Sequence, residues 1–400
     1  MKVLCQFTAK AGDLDRRFTP APTGRQGMEG HSIVASRRGA GYRTEVSLQL
    51  THGSLTLRGR ADGYLPEDRR VEECKTHRGP VDRIPENHRS LHRAQLQTYG
   101  SMLCEQEGLS DVTLALVYFD IDAQHESVVE ERWTAERLRE LLRSRCEAYT
   151  RWADVEAIHQ QARDESLHAL AFPFAGLHAE QRLLAEAVYR AASRGGRLLA
   201  EAPTGVGKTL GTLFPMLKAL ARHQIDKIFY LTAKSTGRAL ALDALAALRR
   251  ADPRLRLRVL DLVAREKSCA YPGRECHGSS CPLARGFYDR LPAARTAAAE
   301  LQVMDAQSLR AVADAHEVCA YYLGQEMIRW ADVVVADYNH YFDATAMLHA
   351  LSRESEWQVG VLVDEAHNLV PRAREMYSAS LPQDVLAASV PAAPAALRGS

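Results

Sequence analysis

RLLAEAPTGVGKTLGTLF, residues 197–214, is the stretch on which the fold turns. An apolar run, RLLAE, reads as a strand. It leads through a glycine turn into LGTLFPMLKAL, whose apolar spacing predicts a helix. Strand, glycine loop and helix in that order form a phosphate loop. Thr204, Gly205, Val206 and Gly207 can then turn their amides toward an anion at the helix N-terminus, where the helix dipole favours negative charge. Lys208 is expected on the β and γ phosphates, and the Thr209 hydroxyl on magnesium.

Further along the chain, KIFYLT at Lys227, RVLDL at Arg258, DVVVAD at Asp332 and VGVLVDE at Val359 are short apolar runs separated by helical stretches. Together with RLLAE they predict a parallel sheet covered by helices. Asp364 and Glu365 end the last run, 155 residues beyond Thr209 (364 − 209), and fall at the carboxyl edge of that sheet. Asp364 suits a magnesium site, and Glu365 suits orientation or deprotonation of an attacking water. Gln181, upstream in LHAEQRLLAEAVY, reads either as an adenine reader or as an ordinary exposed helical glutamine.

Residues 43–76 have a different texture. EVSLQL, SLTLRGRADG and RVEECKT read as strands, and helical periodicity follows over 88–107 and 134–152. Glu73 and Lys75 are two apart on a strand and share a face, and Asp62 precedes them across a turn. Two carboxylates and a lysine so placed suit magnesium-dependent phosphodiester hydrolysis, although an acid and a lysine alternating on a strand also mark a solvated face. Gln95 and Tyr99 share one helix face, and His31 and Glu45 come before the strands. Nine basic residues bunch between Arg58 and Arg93, forming either an anion-binding face or a solvated one.

The 46% hydrophobic and 25% charged content is that of a globular protein, and the net charge of +1 selects no partner. No run approaches a membrane span and the N-terminus carries no export signal, so a cytoplasmic location without membrane partners is expected. In that reducing setting grouped thiols point to metal. Cys269, Cys276, Cys281 and Cys319 are grouped, and as four soft ligands they admit zinc or an iron–sulfur cluster. His277 lies beside them. Cys5, Cys74, Cys104 and Cys146 are scattered, as packing residues are.

The series FPF with Gln181, EAPTGVGKT, YLTAKSTGR, the four cysteines, ADYNHYF and VDEAH resembles the XPD/DinG branch of superfamily 2 DEAH-type helicases. The resemblance implies ATP with magnesium, a 4Fe-4S cluster on the four cysteines, single-stranded and forked DNA as partner, and 5′ to 3′ unwinding in repair or replication. It also makes Thr232, Lys234, Ser235 and Thr236 contacts to the strand's phosphates. His31, Glu45, Asp62, Glu73, Lys75, Gln95 and Tyr99 resemble the RecB-type PD-(D/E)XK nucleases, which implies magnesium held by His31, Asp62 and Glu73.

The expected fold is α/β throughout. A PD-(D/E)XK nuclease-like domain occupies 1–150, a linker 151–171, and a RecA-like P-loop helicase lobe 172–400. That lobe carries a mainly helical 4Fe-4S insertion at about 264–327 and the start of an arch-like insertion after about 377. Only 33 residues follow His367 (400 − 367), so the resemblance implies an incomplete motor. The other function open to the chain is that of a metal-dependent DNA nuclease, or of an ATP-binding, DNA-binding module without motor activity.

Overall fold

The computed structural model describes residues 1–203, 205–344 and 346–389. Thr204 and the tail PAAPAALRGS therefore lie outside the described residues. The chain divides into two compact units. The first comprises Met1–Gln161, Arg265–Glu300 and Leu309–Leu323; the second comprises Ala162–Ala264, Leu301–Ser308 and Gly324–Ser400.

In the first unit, helices α1 (Lys2–Thr8) and α2 (Gly24–Ser36) precede a sheet of β1 (Arg43–His52), β2 (Leu55–Leu65), β3 (Arg70–His77), β4 (Asp111–Asp120) and β5 (His125–Thr134). The strands lie in sequence order, all antiparallel except β3 and β4. That parallel pair needs a crossover, supplied by α3 (Glu86–Glu107), which stops at the left-handed Gly108. Leu96, Tyr99, Met102 and Leu103 of α3 pack with Leu48, Leu57, Leu114 and Leu116 from one face of the sheet. The other face packs Cys74, Val117 and Phe119 against Val34 of α2. A Cβ on Gly30 would come within 2.5 Å of Thr76 Cγ2, so glycine allows α2 this close to β3.

The three expected strands form here, but β4 and β5 were not anticipated. The polar stretch expected as a linker over 151–171 is helical as far as Ala169, within α4 (Ala135–Ala169). Its alanine, glutamate, glutamine and arginine content favours helix over open chain. The four-cysteine segment is mainly helical as expected, with α8 (Arg265–Ser268), α9 (Phe287–Ala299), α10 (Ala306–Ala315) and α11 (Ala320–Met327) following α5 (Ala179–Ser193), α6 (Lys208–Leu220) and α7 (Ser235–Ala251). Most of it belongs to the first unit rather than to the parallel-sheet lobe in which it was expected. The chain from Gly12 to Arg16 accounts for this. Leu14 N donates to Ala284 O at 2.8 Å, Arg16 N to Cys276 O at 2.9 Å, and Gly286 N to Asp13 Oδ1 at 2.7 Å.

The second unit is built on a parallel sheet of β6 (Lys227–Thr232), β7 (Val259–Asp261), β8 (Val303–Met304), β9 (Val333–Asp337) and β10 (Val359–Val363), in the order β10-β6-β9-β7-β8. Ile228, Tyr230, Val333 and Val335 pack with Leu213 and Leu217 of α6 and Leu245 and Leu248 of α7. One expectation fails here. RLLAE forms no strand, and Leu199 is 91% exposed. β6 is paired on both sides, by β10 and β9, while β10 stands at the edge of the sheet and takes no further strand among the described residues. Residues 198–202 instead border a cavity that is also lined by β10. Beyond Tyr377, where the arch-like insertion was expected to start, the described residues carry one short exposed helix, Gln383–Ser389. Among the described residues no helix is long and apolar enough to cross a membrane.

Candidate functional site

The glycine loop of the second unit is shaped by two left-handed glycines, Gly205 (φ 90°) and Gly207 (φ 76°), the second capping α6. Left-handed backbone costs glycine nothing, and it leaves the helix N-terminus open toward an anion. Gln181 is buried and donates Nε2 to the Gly207 carbonyl at 3.1 Å. It therefore braces the loop from behind, and is not an exposed helical glutamine.

Lys208 Nζ lies 3.3 Å from Glu365 Oε1 and 3.3 Å from the Ala202 carbonyl. Asp364 follows β10, with its amide bonded to Leu231 O at 2.9 Å. Burial and the neighbouring Glu365 raise its carboxyl above the usual range, against a hydrogen bond from Tyr230 and the pull of Lys208. The Tyr230 hydroxyl also bonds to Thr209, so Thr209 and Asp364 meet at one phenol. The Tyr338 hydroxyl donates to the carbonyls of Asp364 and Glu365. Lys208, Tyr230, Asp364 and Glu365 line a cavity of about 1160 Å³. The structure thus gathers Lys208, Thr209, Asp364 and Glu365, far apart in sequence, at one sheet edge.

The YLTAKSTGR segment divides. Thr232 is buried, and its Oγ1 faces Lys234 N at 3.4 Å, which makes it a turn residue closed to a strand. Lys234, Ser235 and Thr236 are exposed at the start of α7.

In the first unit, His31 Nδ1 stands 3.3 Å from Asp62 Oδ1, and Asp62 Oδ2 accepts from Cys74 N at 2.7 Å. Its hydrogen bond to Asp62 raises the His31 pKa despite burial. Lys75 Nζ is 2.6 Å from Glu73 Oε1. Burial raises the Glu73 carboxyl, Asp62 adds to the shift and Lys75 opposes it. Tyr99 is buried on the same side of the sheet, raised by burial and by Glu73. Glu45 is turned away and pairs with Arg60. Glu72, next to Glu73 in sequence, faces the opposite side, bound by Arg38 (2.9 Å), Arg70 (2.9 Å) and Tyr42 (2.9 Å). Within the basic bunch, Arg60, Arg69, Arg70, Arg78, Arg89 and Arg93 pair with carboxylates.

Among the described residues no three His, Cys, Asp or Glu side chains are arranged to hold a single metal ion. Lys75 and His31 occupy one oxygen each of Glu73 and Asp62 in place of a cation. Glu73 Oε2, by contrast, is buried with no hydrogen-bond partner, an orphan that a cation would satisfy. The cysteines fit a cluster by chemistry. Cys319 lies close enough to Cys269 and Cys276 that, after burial, their charges help raise its pKa. The Tyr322 hydroxyl bonds to Cys276, and Arg265 Nη1 lies 3.6 Å from its sulfur. A four-iron cluster spreads its thiolates wider than one ion does, and so needs no single-ion arrangement of these cysteines. Both ring nitrogens of His277 are engaged, by Glu275 at 3.0 Å and Ser279 at 2.8 Å, which leaves it unsuited to replace a thiolate.

Sequence reasoning missed His77, His92 and Tyr118. Extending the Glu73–Lys75 alternation by two residues, and the Gln95–Tyr99 helix face back by one turn, would have found both histidines.

The second unit is thus a parallel α/β fold with a glycine loop ahead of a helix and an acidic pair on a nearby strand end. Residues 255–386 match the DEAD_2 family model. The chain is similar to the regulator of telomere elongation helicase 1 homolog of Anopheles gambiae, 25% identical over 272 residues. That alignment covers 55% of this chain and 27% of the relative, so the chain spans about a quarter of the relative's length. Among solved structures it resembles an XPD helicase (TM-score 0.38, 18% identity, 55% of this chain and 37% of the other). It also resembles a truncated XPD (TM-score 0.35, 20% identity, 53% and 60%).

Proposed function

We propose that this chain is part of an ATP-dependent DNA helicase of the XPD/DinG type, moving 5′ to 3′ on single-stranded and forked DNA. The observation that carries this reading is Lys208 at 3.3 Å from Glu365, with Asp364 and Thr209 joined through Tyr230. Lys208 and the loop amides of residues 204–207 bind and orient the phosphates of ATP; Thr209 and Asp364 hold its magnesium, which neutralises charge on the phosphates. Glu365 orients the attacking water and takes its proton. Gln181 keeps the loop in shape. Lys234, Ser235 and Thr236 offer polar contacts to a strand's phosphates. Cys269, Cys276, Cys281 and Cys319 hold a 4Fe-4S cluster with a structural role, consistent with their shared helical segment.

A second activity is favoured by the convergence of His31, Asp62, Glu73 and Lys75. On this reading the first unit is a magnesium-dependent nuclease. Asp62, Glu73 and His31 would hold the ion, which would activate a water and polarise the scissile phosphate, and Lys75 would neutralise the charge that develops there.

Labelled forked DNA incubated with magnesium, with and without ATP, tests both readings. Strand separation that requires ATP and is lost in Glu365→Gln supports the motor; cutting lost in Lys75→Ala supports the nuclease. A chain that does neither, while binding DNA and ATP, would be a module without motor activity.

A further inference from the structure

Three of the four grouped cysteines stand in a stretch with little core of its own. Between Cys269 and Gly286 only Gly278 and Ala284 are buried, and the backbone there makes turns and one isolated bridge. So little apolar burial leaves a segment locally unstable unless something else fastens it.

The strap of residues Gly12 to Arg16 supplies that fastening. Besides the bonds it makes to Cys276, Ala284 and Gly286, Gly12 N donates to Asp289 Oδ1 at 2.9 Å and Gly12 O accepts from Tyr288 N at 3.0 Å. Asp15 pairs with His277 as an antiparallel bridge. Asp13 serves two places at once. Its Oδ1 accepts from Gly286 N at the N-terminus of α9, where the helix dipole favours a carboxylate, and its Oδ2 lies over Gly278, where an added Cβ would collide with it. The strap is itself anchored at both ends: Leu4 of α1 packs in the core on one face of the first unit's sheet, and Val34 of α2 in the core on the other.

We propose that Asp13 and this strap are positioning elements of the four-cysteine metal site, so that strap and bound metal stabilise each other. Cys276 is held through its own carbonyl by Arg16 N at 2.9 Å, and Cys281 lies in the loop between that attachment and the one at Ala284. Fixing both ends of the loop removes freedom that metal binding would otherwise have to quench. Linkage is reciprocal, so what the strap adds to metal retention the metal adds to the order of the strap. The proposal rests on the cluster reading only in naming iron as the metal retained.

The test uses the whole chain, purified under nitrogen. Iron release to the chelator ferrozine should run about ten-fold faster in Asp13→Ala than in the unaltered protein. Asp13→Asn keeps the acceptor oxygen and should stay close to the unaltered rate. Gly278→Ala should also speed release, but should add little once Asp13 is alanine, because both changes break the same contact. Stripping the metal from the unaltered protein should speed hydrogen exchange at the amides of Leu14, Arg16 and Gly286, a readout that needs no variant to fold. Equal release rates in Asp13→Ala and the unaltered protein, or exchange at those amides that ignores the metal, would overturn the proposal and leave the cluster reading in place. Protein that takes up no iron when reconstituted with iron and sulfide sinks the cluster reading instead. The strap is then judged by hydrogen exchange around Cys276 and Cys281, which Asp13→Ala must raise; unchanged exchange there overturns it.

Discussion

Gln181 reaches from α5 to hold the carbonyl of Gly207, 3.1 Å away, at the residue where the glycine loop turns into α6. Glutamine at this place does more than fill space, because a Cβ at Gly207 would collide with its amide and the two positions are matched. Removing the amide leaves the loop free to take other shapes. Gln181→Ala should therefore weaken ATP binding about five-fold, the worth of one hydrogen bond of about 1 kcal/mol. The variant should melt close to the unaltered protein. Titration of a fluorescent ATP analogue checks this; affinity equal to the parent's would show that the loop holds its shape unaided.

Glu126 sits between Arg37 at 3.0 Å and Arg38 at 2.8 Å, and Arg38 also binds Glu72. Burial works to raise the Glu126 pKa, but the hydrogen bonds and charges of Arg38 and Arg37 outweigh it and hold the carboxyl below its usual range. A carboxylate with a lowered folded pKa adds stability above its unfolded value of about 4.3. That stability is lost as pH falls through the lower folded value. Melting of the first unit should thus drop steeply below about pH 4. In Arg38→Met the unit should melt lower at neutral pH, with a shallower acid dependence. Parallel melting curves for the two proteins across that range would count against the network.

If the four cysteines hold a 4Fe-4S cluster, protein purified in air should be brown and carry about four irons per chain with sulfide. Cys281→Ser should bleach it and abolish duplex opening while sparing much of the nucleotide binding. Metal analysis decides the point, since colourless protein with stoichiometric zinc is the contrary result.

Much of this was open to reading in the sequence. KIFYLT, DVVVAD and VGVLV are strands because they are apolar on both faces, and the residues that meet at the phosphate loop lie at strand and helix ends, where pattern reading works well. RLLAE has the same texture but forms no strand, because an apolar run becomes a strand only where a neighbour pairs with it, and no local pattern encodes whether the open edge of β10 does so. β4 escaped notice because it is covered on both faces, with Leu114, Ala115, Leu116, Val117, Tyr118 and Phe119 buried in unbroken succession, so alternation is lost. Glu72 and Glu73 are adjacent acids with opposite fates, and alternation from Lys75 picked the one facing α3. The bunched arginines left two readings open while their carboxylate partners, some brought in by β4 and β5, were out of view.

The central claim, that Lys208 and the acidic pair form an ATP-phosphate site, is tested most directly by calorimetric titration of the chain with ATP and magnesium, beside a folded Lys208→Ala variant. The account predicts one site per chain in the unaltered protein and affinity at least ten-fold weaker in the variant, a loss of about 1.4 kcal/mol or more. No heat of binding in the unaltered protein, or equal affinity in the two, would contradict it.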